Sequence, residues 1–157
     1  MPRHAATPAE IPSRDTLLSM SGLAFMEGMR DGALPLPPIG KTLNFHVKTV
    51  EPGRVTFIGT PLFGHANPIG ALHGGWYGSI LDSALGCAVM TIVPQGRWYT
   101  TLEYKVNITR ALPLGIEAIA TGTVDHAGRS TATARADLRG VADGKLYVCS
   151  TSGWHVL

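Results

Sequence analysis

Between Gly74 and Thr91 the chain carries one charged side chain, Asp82; every other residue there is apolar or small. Ile80, Leu81, Ala84, Leu85, Ala88 and Val89 recur at helical spacing, and their face is broad enough to be core on most sides. The longest apolar run, near ALGCAVMTIV, is too short to span a bilayer. A helix of this kind has to be buried by the rest of its own fold. The remaining sequence must therefore supply a wrapping.

That wrapping reads as strands. LNFHVKTV and RVTFIGT flank Glu51-Pro52-Gly53, which suits a hairpin turn. After the helix come WYTTLEYKVNIT, IEAIATGTVDH, STATARADLRG and KLYVCSTSGWHV, joined by short Gly-containing connections that favour antiparallel neighbours. Upstream, Leu17, Met20, Ala24, Phe25 and Met29 share one face of a helix that starts at Ser13 and stops at Gly32. ALPLPPIG is expected to be extended, PLFGHANPIGAL to be a loop, and residues 1–12 to be a loose arm before one domain over 13–157. The pattern predicts an α+β fold, with one antiparallel sheet wrapped around one long helix.

An acid inside such a helix asks for a reason. Gly75, Gly78, Ser79 and Gly86 lie three, four or seven residues from Asp82 and share its face. Each helical glycine costs about 0.5–1 kcal/mol relative to alanine, so a stripe of them implies a close approach by substrate or by another backbone. The alternative is a solvated Asp, or one bonded to Ser79 or Ser83. Gly74 and Gly75 begin the helix, where amides have no internal partner and the dipole favours negative charge. Such amides suit an oxyanion, and an Asp base beside them suits hydrolysis of an activated acyl group. His73 is a candidate for orienting the loop, donating to a carbonyl or capping local backbone, and Asn67 for contacting a carbonyl or water.

Charge patterning excludes some classes. The net charge is +2, and the 13 Lys and Arg residues are scattered, which argues against a nucleic-acid surface. Hydrophobic residues make up 45% and charged residues 15%, as in a globular core. The N-terminus has no signal-peptide core, Cys87 and Cys149 sit in apolar surroundings, and the histidines lack metal-ligand spacing. A cytoplasmic protein without metal or redox cofactor is expected.

The run Asn67-Pro-Ile-Gly-Ala-Leu-His73-Gly74-Gly75, with Asp82 nine residues after the His, resembles the PaaI (phenylacetic acid degradation) group of hotdog-fold acyl-CoA thioesterases. The strand runs and the turn Asp125-His126-Ala127-Gly128-Arg129-Ser130 fall where that family has them. The resemblance implies a hotdog fold, paired into homodimers and often dimers of dimers. It implies hydrolysis of a CoA thioester, with Asp82 activating water or attacking, and the Gly74 amide polarising the carbonyl beside Asn67, His73 and Gly75. Some relatives place a small hydroxyl residue on the strand after the helix. The matching position is Glu103, with Thr101 two residues earlier on the same face, so Thr101 is the candidate to hold the water and Glu103 to make an ion pair. Gly128, Arg129 and Ser130 match the segment that meets the CoA nucleotide, where Arg129 suits a phosphate. Trp76-Tyr77 is bulkier than the family's small pair and is expected to narrow the acyl site. The rivals are a non-catalytic acyl-CoA sensor and a hotdog dehydratase.

Overall fold

A computed structural model describes residues 3–157. Its central element is helix α4, Gly74–Met90. Around it curls one six-stranded antiparallel sheet: β1 Phe45–Glu51, β2 Arg54–Gly59, β3 Tyr99–Ile108, β4 Ala118–Ala127, β5 Thr131–Gly140 and β6 Leu146–Val156. The strand order is β1-β2-β4-β5-β6-β3. This is the hotdog arrangement of one long helix in a wrapped sheet. The expected apolar face is the core, with Ile80, Leu81, Ala84, Leu85, Ala88 and Val89 wholly buried.

Small residues let the sheet close on the helix. On β5, Ala132, Ala134, Ala136 and Leu138 are buried, while Thr131, Thr133, Arg135 and Arg139 face outward. On β4, a Cβ on Gly122 would stand 2.1 Å from the carbonyl oxygen of Ala84. The helix backbone thus rests directly on the strand at that point. The β1–β2 turn needs Gly53 at φ +73°, and its amide donates to Thr91 Oγ1 at 2.7 Å, which ties the hairpin to the end of α4.

The topology corrects one expectation. β3 does not pair with β4, its successor in sequence; it lies at the edge against β6, with Thr101 opposite Trp154 and Ile108 opposite Val148. The residues between Ile108 and Ala118 carry the chain across to the far side of the sheet. Ten residues long, β3 is exposed along most of its length, Leu102, Tyr104 and Ile108 included.

The upstream helix is two helices. Ser13 Oγ accepts from the Thr16 amide at the start of α1, Arg14–Leu18, and Ser21 Oγ accepts from the Ala24 amide at the start of α2, Gly22–Arg30. The second cap breaks what periodicity alone joins. Proline-rich 33–40 is not wholly extended, because Pro38 opens a short helix α3, Pro38–Thr42. The loop after β2 contains a 3₁₀ turn at Phe63–His65. Within the arm expected over residues 1–12, Ala5 is buried, and backbone bonds join Ala5 to Leu36 and Leu36 to Arg3. No helix among the described residues is long and apolar enough to cross a membrane.

Candidate active site

Helix α4 begins at a loop that Asn67 holds in shape. Its side-chain oxygen accepts from the amides of Ile69 at 3.1 Å and Ala71 at 3.0 Å, and its own amide donates to the Ala71 carbonyl at 2.7 Å. His73 is the N-cap. Its Nδ1 accepts from the Gly75 amide at 2.9 Å, which assigns the ring proton to Nε2 and turns that donor outward. Of the alternatives open for His73, the structure shows capping. The consequence falls on the two glycines. The Gly75 amide is engaged, whereas the Gly74 amide has no partner among the described residues. Both glycines are exposed at the helix start.

Two turns along, Asp82 is half-buried, and its Oδ1 is shielded from solvent with no hydrogen-bond partner among the described residues. Burial pushes its carboxyl above the usual carboxylate range, and the nearby Thr101 hydroxyl pulls part of the way back. Neither nearby serine satisfies it: Ser79 Oγ donates to the Gly75 carbonyl and Ser83 Oγ to the Ser79 carbonyl. A half-buried carboxylate with an unpartnered oxygen can accept a proton from something placed beside it.

The stripe of small residues is covered, and by the same chain. Over Gly86 lie the Trp154 ring and the Tyr99 hydroxyl, 2.8 and 3.1 Å from where a Cβ would stand. The Tyr104 hydroxyl lies 3.2 Å from the same point on Gly78, and the Ile108 side chain reaches 4.0 Å from that of Gly74. β3 therefore runs along α4 with Tyr99, Thr101, Tyr104 and Ile108 set against Gly86, Asp82, Gly78 and Gly74 in turn. The close approach that the stripe implies, expected from substrate or another backbone, is thus made by side chains of the chain's own strands. Tyr99 and Tyr104 carry no distinguishing signal in the sequence; only the facing glycines hint at them.

Thr101 and Glu103 do not share a face. The register shifts between them, so that Thr101 pairs with buried Trp154 while Glu103 pairs with Gly153 and lays its carboxylate over it. A bulge turns the strand over at Leu102. Among the described residues Glu103 makes no ion pair, contrary to expectation. Trp76 and Tyr77 also depart from expectation. Both are buried, with Trp76 Nε1 donating to the Leu43 carbonyl and Tyr77 Oη accepting from the Leu112 amide, so they anchor loops instead of walling an acyl site.

Gly128, Arg129 and Ser130 form the β4–β5 turn, held by the Gly128 amide on Thr131 and the Val156 amide on Ser130. Arg129 is exposed and makes no ion pair among the described residues. Arg135 and Arg139, the other arginines of this hairpin, are paired with Asp125 and Asp137. No cluster of three or more His, Cys, Asp or Glu side chains suits a metal ion among the described residues.

Known proteins share this fold. The thioesterase superfamily profile matches residues 69–146, a span that holds Gly74, Asp82, Thr101 and Arg129. A mutant of the phenylacetic acid degradation protein PaaI from Thermus thermophilus aligns at 26% identity and TM-score 0.69, over 75% of this chain and 97% of its own. Zebra fish thioesterase superfamily member 2 aligns at 27% identity and TM-score 0.66, over 71% and 80%. A hypothetical thioesterase from Streptococcus pneumoniae, solved with coenzyme A, shares the fold at 23% identity and TM-score 0.66, over 73% and 86%. No curated protein matches the chain.

Proposed function

Because the chain belongs to the thioesterase superfamily, as a hotdog protein of PaaI type, we propose that it hydrolyses an acyl-CoA thioester to the free acid and coenzyme A, with Asp82 as the base that activates water. The observation that carries this reading is the half-buried Asp82 carboxylate, with Oδ1 shielded and unpartnered and Thr101 nearby. In the proposed step Asp82 takes a proton from water as the oxygen bonds to the thioester carbon. The carbonyl oxygen gains negative charge and is met by the open Gly74 amide at the helix N-terminus. The C–S bond then breaks, the acid forms, and the CoA sulfur leaves with a proton. Asn67 and His73 hold the loop that presents Gly74, which is support at one remove from the reacting atoms. Arg129, exposed and without a carboxylate partner, is the proposed contact for a CoA phosphate, with Gly128 and Ser130 shaping its turn.

Helix geometry adds a second chain to this reading. Gly74 and Asp82 of one helix are eight residues apart, roughly 12 Å of axial rise, too far for one thioester carbonyl to meet both. A site using both is assembled by a two-fold pair, Gly74 from one copy and Asp82 with Thr101 from the other. The exposed edge of β3, where Leu102, Tyr104 and Ile108 remain open, favours a homodimer through that strand. Release of free thiol from a panel of acyl-CoAs, followed with a thiol-reactive chromogen, tests the activity. Binding without release would indicate the sensor, and an unsaturated thioester product the dehydratase.

A further inference from the structure

The register shift at Leu102 decides which side chain stands next to Asp82 along the helix. Before the shift, Tyr99 and Thr101 face α4; after it, Tyr104 and Ile108 do. Had the earlier alternation continued, Glu103 would be the next group against α4, and two carboxylates one turn apart repel. Instead Glu103 lies over Gly153, and a phenol takes the place beside the base. Bulges that re-aim a side chain in this way recur beside active sites. Gly78 makes the room, since a β-carbon there would stand 3.2 Å from the Tyr104 hydroxyl. That hydroxyl makes no hydrogen bond among the described residues. The hydroxyls of Tyr77 and Tyr147, by contrast, are engaged with the Leu112 amide and the Asp143 carboxylate. Tyr99 differs again, because its ring packs against both Trp98 and Trp154 as part of the wall.

We propose that the Tyr104 hydroxyl holds the attacking water together with Asp82 of the same chain, as a second catalytic residue for the hydrolysis. The proposal rests on the thioester reading above and adds to it the group that aims the nucleophile. Gly78 and Asp82 are four residues apart, so their β-positions lie about 5–6 Å from each other on one face. The Tyr104 hydroxyl sits at the first position and the Asp82 carboxylate at the second, a spacing that a single bridging water fills. Such a water gives one hydrogen to the Asp82 carboxylate and the other to a lone pair of Tyr104 Oη. Its own free lone pair then points away from both, toward a thioester carbon lying over the helix. Only one proton moves: it passes from water to Asp82 as the C–O bond forms, and Tyr104 keeps its own throughout. Thr101 suits this task less, because its hydroxyl already acts on the Asp82 carboxyl. Tyr104 is partly exposed at the open edge of β3, so water reaches it without any shift of the core.

The test follows thiol release from acyl-CoA by the unaltered protein, Tyr104→Phe, Asp82→Asn and the double variant. Tyr104→Phe keeps the ring and removes only a hydroxyl without a partner, so the fold is retained, and matched unfolding midpoints establish this. Its kcat should fall roughly tenfold, the loss of one hydrogen bond to the nucleophile. KM should stay within about twofold, because the contact is to water and leaves substrate binding alone. The pair should also be non-additive. Once Asp82→Asn has deprived the water of its base, adding Tyr104→Phe should cost little more. A kcat equal to that of the unaltered protein overturns the proposal. So does a raised KM with kcat kept, which would make Tyr104 a substrate contact. A full tenfold loss in both backgrounds overturns it too, since Tyr104 would then act apart from the water that Asp82 holds. In these three outcomes thiol release persists and the hydrolase reading stands. No release by the unaltered protein from any acyl-CoA would instead bring down that reading, and this proposal with it.

Discussion

Tyr104 on β3 lays its hydroxyl over Gly78 on α4, 3.2 Å from where a β-carbon would stand. Tyr104 is partly exposed at the sheet edge, so its ring can give way by a few tenths of an ångström. Gly78→Ala is therefore expected to gain up to about 1 kcal/mol from helix propensity with little steric loss. Gly86→Ala drives a methyl into the buried Trp154 ring at 2.8 Å and should cost about 1–3 kcal/mol. Gly122→Ala meets helix backbone at 2.1 Å, which no side-chain motion relieves, and should cost about 3 kcal/mol or more. Denaturant unfolding of the three variants checks the order; equal effects would refute it.

For Asp82→Asn the expected outcome is a folded protein whose hydrolysis falls by about 10²–10⁴-fold, the usual contribution of a general base. Turnover assays beside matched circular dichroism measure it. An Asn variant with near-normal turnover would remove Asp82 from the mechanism.

The same variant should alter stability with pH. Burial raises the Asp82 carboxyl in the folded protein, whereas the unfolded chain ionises near about 3.9. Below that value both states are protonated and there is no penalty. As pH rises through it the unfolded state ionises first, and the fold loses stability until its own carboxyl ionises too. Asp82→Asn removes this loss. Its Tm should exceed that of the unaltered protein at pH 7 and converge with it near pH 3; the opposite trend would mean the carboxylate is stabilised in place.

Arg129→Ala should raise KM for CoA thioesters more than it lowers kcat, since a phosphate contact far from the reacting carbon binds ground and transition states alike. The effect should shrink as salt is added. KM unchanged at low and high salt would exclude the contact.

The proposed two-chain site can be tested by mixing. Gly74→Pro removes the open amide at a position where helices tolerate proline, and His73 before it is already extended at ψ 136°. Neither the Gly74→Pro nor the Asp82→Asn dimer should turn over. Combined, a mixed dimer holds one site with both residues intact and should regain activity there. Light scattering gives the mass, and a fully active monomer would end the shared-site reading.

Much of this architecture is legible in the sequence because it is local. The core face of α4 follows from residues three and four apart, and each strand from its own composition and flanking turns. What is not legible is what depends on partners distant in the chain. The place of β3 beside β6 is decided by which edge of the sheet remains open, and the turn at Leu102 shows only in the register of β3 against β6. The break before α2 is readable in principle from Ser21, though a continuous apolar face masks it. Tyr99 and Tyr104 emerge only once β3 is laid along the helix.

The notch at Gly122 has a consequence for how the protein can change. Because the strand receives the Ala84 carbonyl directly, the height of α4 within the sheet is set by main-chain contact. Asp82 sits two residues upstream, about 3 Å of rise away, and inherits that fixed origin. Side chains packed around the helix, such as Met26 and Met29, can then be exchanged while the carboxylate stays where it was.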